Sequence, residues 1–153
     1  MSYEKAKAHL EKFGLADRIK LLDQSSATVE LAAEALGCEP ARIAKSLTFL
    51  VNGKPVMILT AGDVKISNPK FKAEFGVKAK MLPAGEVSEL IGHEVGGVCP
   101  FGANEGAEVY LDESLRRFER VYPACGSGNS AVDLSIEELE KCSRYKEWID
   151  VCG

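Results

Sequence analysis

The chain is poor in metal-binding residues and in positive charge, and it has no long apolar run. Only His9 and His93 accompany five cysteines at positions 38, 99, 125, 142 and 152, and no two cysteines stand in C-x-x-C spacing. This pattern argues against structural zinc and, the count being odd, against a disulfide framework; it predicts reduced thiols and no bound metal. No segment approaches the roughly 18 apolar residues of a membrane helix. The opening Met1-Ser2-Tyr3-Glu4-Lys5-Ala6-Lys7 alternates charge where a secretory signal needs an apolar stretch. The expectation is a cytoplasmic protein with no membrane partner. A net charge of −4 also argues against a sequence-independent binder of duplex nucleic acid, which needs concentrated Lys and Arg.

What is present suits one ordinary globular domain over 1–153, with 46% hydrophobic and 27% charged residues and no repeat or linker. Tyr3, Ala6, Leu10 and Phe13 recur at helical spacing before Gly14, which predicts a first helix over about 3–13. Ile19 to Leu22 reads as a short strand. Thr28 is positioned to cap a helix that turns Leu31, Ala32, Ala35 and Leu36 inward and stops at Gly37. Ser46–Val51, Asn52-Gly53 and Lys54–Thr60 form a β-hairpin pattern, since Asn-Gly accepts the positive φ angles of a type I′ turn. Helices are expected from Asn68-Pro69 to Gly76, over Ala84–Ile91, and from a Ser135/Glu138 capping box to Cys142. Strands are expected at 108–111, 120–124, 131–134 and 145–151. The fold class is therefore α+β, with a mixed, largely antiparallel sheet and flanking helices.

Several features do not read as packing alone. Lys45 falls on the same strand face as Leu47, Phe49 and Val51, so it either snorkels to water or points into a pocket. Gly92–Gly102 holds four glycines and a proline, and such backbone can converge N–H groups on an anionic oxygen. Gly126-Ser127-Gly128-Asn129-Ser130-Ala131 matches G-x-G-x-x-A, yet an extended segment follows it where a dinucleotide site needs a helix, so no cofactor is expected. A Walker loop fails at Glu39 and Ala44, and no G-x-S-x-G elbow exists. Cys99 with His93 could form a thiol nucleophile and base, or Cys99 could be a small buried hydrophobe. Lys65, Lys70, Lys72, Lys78 and Lys80 oppose a single acid, Glu74, over 65–80. That segment is either a solvated helix face or a landing site for an anion.

Taken in order, Ala41–Phe49, the Gly96–Pro100 core of the first glycine loop, and the Gly126 loop leading to Val132-Asp133-Leu134-Ser135 resemble the YbaK and prolyl-tRNA synthetase-associated editing domains. The resemblance covers about 27–139. It implies a curled, barrel-like sheet and hydrolysis of the ester joining a wrong amino acid to the 3′ end of a tRNA, most often proline tRNA, with Cys-tRNA(Pro) as the leading substrate. It further implies that Lys45 holds the terminal adenosine. The loop containing Gly96, Gly97, Val98, Cys99 and Pro100 would line the aminoacyl pocket together with Ser46, with Gly96 and Gly97 joining Lys45 as the catalytic residues through their backbone, and Gly126, Ser127, Gly128, Asn129 and Ser130 would close its other side. Lys70, Lys72 and Lys78 are the expected tRNA contacts, and prolyl-tRNA synthetase is a possible partner. Where many relatives carry histidine, this chain has Asp23-Gln24-Ser25-Ser26, and Asn129-Ser130 stands where several have histidine or arginine. The alternative reading is a noncatalytic tRNA- or synthetase-binding module of the same fold.

Overall fold

The structure is a computed structural model and describes residues 2–153. Its elements in chain order are α1 (Ser2–Glu11), β1 (Ile19–Leu21), α2 (Val29–Leu36), β2 (Ile43–Val51), β3 (Lys54–Ala61), α3 (Asn68–Phe75), α4 (Ala84–Ile91), β4 (Glu108–Asp112), β5 (Arg120–Pro123), β6 (Ser130–Val132), β7 (Leu134–Ser135), α5 (Ile136–Cys142) and β8 (Glu147–Ile149). Short 3-10 turns precede β1, β2 and β5. No helix among the described residues is long and apolar enough to cross a membrane.

The hairpin of β2 and β3 is the centre of the molecule. Asn52 and Gly53 take φ of 50° and 82°, as a type I′ turn requires, and the resulting antiparallel ladder runs from Ala44↔Ala61 to Val51↔Lys54. Around it a curled, half-barrel mixed sheet is ordered β7-β5-β2-β3-β4-β8. The β5·β2, β3·β4 and β4·β8 pairings are parallel, while β2·β3, the longest ladder, and β5·β7 are antiparallel. The apolar run of β3 is continuous because the strand is buried on both faces. Met57, Leu59 and Ala61 enter the larger core with Val109, Leu111 and helix residues Leu10, Ile91 and Leu139. Val56 and Ile58 enter the second core with Phe49, Phe71, Tyr110 and Val151. At about 1.5–3 kcal/mol for each large side chain fully removed from water, these two layers hold the hairpin in place.

The expected elements appear with shifted ends, and α2 buries Ala32 and Ala33 while Leu31, expected inward, is exposed. The first helix stops at Glu11, and the chain turns at Gly14 (φ 71°) with the Leu15 N–H donating to the Leu10 carbonyl. The larger difference lies at 131–134, expected as one strand. It divides at Asp133: β6 pairs with β1 in a separate two-stranded sheet and β7 pairs with β5. Asp133 accepts from Arg120 at 2.9 Å, and its N–H donates to the Arg18 carbonyl. The change of sheet is thus held by tertiary partners invisible to periodicity.

Candidate functional site

The hairpin places a cavity of about 290 Å³ where β2 meets the start of α4, the first glycine loop and the turn before α2. Its walls include Ala27 from that turn and Val29 from the start of α2, Leu82 and Val87 around α4, and Ala124 and Ala131 from the β5–β6 region. Lys45, Ser46, Gly96, Val98 and Ser130 border it as well, so residues from all three motifs meet there. The other candidates lie behind or beside the wall. Cys99, Pro100 and Gly126 are buried, Ser127 and Gly128 are half-buried, and Asn129 is exposed.

The two glycine loops are docked on each other. Gly97 is buried, and a methyl group there would stand 2.4 Å from the Gly126 carbonyl carbon and the Ser127 nitrogen. Only glycine permits that approach. The Gly126 N–H donates to the Gly97 carbonyl at 3.0 Å, and the Gly97 N–H donates to the Glu94 carbonyl at 3.0 Å. Gly96, at φ 96°, turns the loop so that it borders the cavity opposite Ala27. Neither the Gly96 nor the Val98 N–H has an acceptor among the described residues. In the last loop the polar side chains are occupied by one another. The Ser127 hydroxyl donates to Asn129 Oδ1 at 3.0 Å and contacts Ser130 Oγ at 2.5 Å, while the Ser130 hydroxyl donates to the Cys125 carbonyl at 3.1 Å. The Ser26 N–H donates to the Gly128 carbonyl at 2.7 Å, tying the turn before α2 to this loop.

Lys45 is half-buried, and its ammonium donates to the Val64 carbonyl at 2.5 Å. Neighbouring Asp63 is already clamped by the Arg117 guanidinium, which holds its carboxyl below the usual range. The Lys45 ammonium therefore has a neutral oxygen for a partner and no carboxylate among the described residues. Lys70 is engaged, donating to Asp150 Oδ1 at 3.1 Å and to the Cys152 carbonyl at 2.9 Å, whereas Lys72 and Lys78 are exposed. Ser26 Oγ and Ser46 Oγ are buried with no hydrogen-bond partner among the described residues.

The Cys99–His93 pair is close, with Sγ 3.6 Å from Nε2, but both residues are sealed from solvent at 0% and 1% exposure. Burial pushes the Cys99 thiol far up and the His93 imidazole down, so the thiol stays protonated. All five cysteines are free. No group of three or more His, Cys, Asp or Glu among the described residues is arranged to hold a metal ion. Sequence reasoning missed the wall from Ser26 to Ala32 and the exposed Met81 and Val95 at the rim. These are small or apolar residues whose convergence depends on the fold.

Residues 23–142 match the family model of the aminoacyl-tRNA editing domain. The chain belongs to that family. Within it, this editing domain is 50% identical over 153 residues to "Uncharacterized protein YwhH" of Bacillus subtilis (strain 168), covering 99% of this chain and 98% of that protein. It is 28% identical over 149 residues to a proline–tRNA ligase of Bacillus mycoides (strain KBAB4), of whose length it spans 24%. A solved structure described as a candidate trans-editing enzyme for prolyl tRNA synthetase superposes with a TM-score of 0.88 at 28% identity, over 99% of this chain and 97% of that one. The editing-domain family and the curled sheet named from the resemblance are thus both found.

Proposed function

We propose that this editing domain is a trans-acting aminoacyl-tRNA deacylase, working in the cytoplasm on proline tRNA that carries a wrong small amino acid, with Cys-tRNA(Pro) as the first substrate to try. The observation that carries the reading is the open-mouthed cavity bordered at once by Lys45, by Gly96 and Val98 with N–H groups lacking acceptors among the described residues, and by apolar walls. The likeness to proline–tRNA ligases and to the candidate trans-editing enzyme supports the choice of tRNA.

An aminoacyl ester is already activated, so the site's task is to place it and to stabilise the charge that develops on its carbonyl oxygen. Water adds to the acyl carbon, the Gly96 and Val98 N–H groups donate to the forming oxyanion, and the bond to the tRNA 3′ oxygen breaks as that oxygen takes up a proton. Removing one such donor in a comparable setting costs about 2.7–4 kcal/mol. The Lys45 ammonium exchanges the Val64 carbonyl for an oxygen of the terminal adenosine. A buried, protonated Cys99 takes no part.

Incubation with cysteinyl-, alanyl- and seryl-tRNA(Pro) tests the reading. The expected result is deacylation of at least one substrate well above the spontaneous rate, lost in Lys45→Ala. Salt-sensitive tRNA binding without turnover would identify the noncatalytic module instead, and neither binding nor turnover would remove both.

A further inference from the structure

Six consecutive residues of β2, Ile43 to Thr48, border the cavity. Side chains alternate between the faces of a strand, so six in a row cannot all reach one cavity from a face. The cavity therefore meets the edge of β2, where backbone groups lie.

That edge is covered at both ends and open in the middle. β5 pairs with it only at Ile43 and Ala44. From the Thr48 carbonyl to the Leu50 N–H it is covered by the 80–82 segment, with the Leu82 N–H donating to the Thr48 carbonyl at 3.0 Å and the Leu50 N–H donating to the Lys80 carbonyl at 2.9 Å, while the Thr48 N–H has no acceptor among the described residues. These two bonds show that the even-numbered residues of β2 direct their N–H and C=O groups away from β3. Pro55 opposite Leu50 agrees independently, since proline has no N–H to give and must sit at a non-bonded pair. By the same parity Ser46↔Leu59 is a non-bonded pair. The N–H and C=O of Ser46 thus face the open stretch of edge.

We propose that this one-residue opening is the receptor for the α-aminoacyl group itself, whose nitrogen and carbonyl take the place of the missing strand residue opposite Ser46. In a bonded antiparallel pair two residues exchange both N–H···O bonds. A single α-amino acid ester carries a donor and an acceptor on one carbon, which matches one outward-facing residue. Its ammonium donates to the Ser46 carbonyl and its acyl oxygen accepts from the Ser46 N–H, in addition to the loop donors. A longer peptide strand is excluded, because β5 and the 80–82 segment close the edge on either side of Ser46, the one residue there whose N–H and C=O are both open. Buried backbone groups rarely stay unpaired, which is why an edge left open inside a cavity points to a ligand. The inference rests on the deacylase reading and adds that the substrate is held by its α-amino group, independently of its side chain.

Amide NMR on the intact protein tests it. In the free protein the Ser46 amide is expected to exchange with solvent at least tenfold faster than those of Lys45 and Leu47, which bond to β3. Addition of 3′-deoxy-3′-(L-alanylamino)adenosine, a hydrolysis-resistant mimic, should shift and protect the Ser46 amide, whereas adenosine alone should not. In a parallel assay, replacing the alanyl ester on tRNA(Pro) by the lactyl ester, which lacks the ammonium, should lower the rate at least tenfold after division by each ester's spontaneous rate, because a hydrogen bond to a charged group is lost. Equal protection of all three amides, or binding of the mimic with an unmoved Ser46 amide while alanyl-tRNA(Pro) is still deacylated, would overturn the inference and leave the function standing. No turnover of any aminoacyl-tRNA and no binding of the mimic would overturn the function, and this inference with it.

Discussion

His93 shows how burial decides what a residue can do. Its Nε2 meets the Phe101 carbonyl at 2.6 Å, its Nδ1 has no partner among the described residues, and burial lowers its pKa from the ordinary 6.5. His9, on the Cys142 carbonyl at 2.6 Å, is lowered for the same reason. A histidine with a depressed folded pKa binds fewer protons folded than unfolded. Its stability contribution is therefore complete above about pH 6.5 and is lost as pH falls through the folded value. Urea midpoints are expected to hold steady from pH 8 to 6.5 and to drop below it, with a smaller drop in His93→Gln. An unchanged pH profile in that variant would exclude His93 as the cause. Beside it, Cys99→Ser is expected to keep its deacylation rate, because the thiol is buried and protonated. Loss of turnover in a folded Cys99→Ser would restore the thiol as a participant. The sequence brought these two residues together correctly, but spacing carries no information on solvent access, and that is what separates a nucleophile from a core residue.

Among the elements, capping and turn chemistry were legible at Thr28, Ser135 and Asn52-Gly53 because they act over four residues, whereas α3 is capped by Ser67, one residue before the expected Asn68-Pro69. Thr28 Oγ1 accepts from the Leu31 N–H at 3.2 Å, and Ser135 and Glu138 form the reciprocal box that opens α5, with bonds of 3.1 and 2.9 Å. Ser135→Ala is expected to lower stability by about 1 kcal/mol, read from the urea midpoint at constant slope; no change would mean that the cap is redundant with the β5·β7 pairing. The glycine loops were legible as unusual, though their division of labour was not. Gly97 and Gly126 serve the docking of one loop on the other, while Gly96 and Val98 present N–H groups near the cavity. Gly97→Ala should therefore destabilise by about 1–3 kcal/mol through overpacking and lower turnover together with the melting temperature. A fully stable Gly97→Ala would mean that the loops can part.

Over the whole molecule the charge is divided, with +4 carried by residues 65–80 within a chain of net −4. The segment is not uniformly free, since Lys70 is tied to Asp150 and the C-terminal backbone. Replacing Lys72 or Lys78 by alanine is expected to weaken tRNA binding and to reduce the slope of log affinity against log salt by about 0.7–0.9 for each phosphate left unneutralised, measured by filter binding across salt concentrations, while Lys70→Ala changes it less. Equal slopes in all three variants would place the tRNA elsewhere. The Thr28 and Ser135 caps and the hairpin turn were determined by the sequence alone, because each depends on neighbours a few residues apart. The division of 131–134 between two sheets, the turning of the Lys45 ammonium to the Val64 carbonyl, and the open stretch of β2 edge at Ser46 were decided only by tertiary structure. Each depends on which distant segment comes to lie alongside a strand and how far along it reaches, a matter of packing between elements that no local pattern encodes.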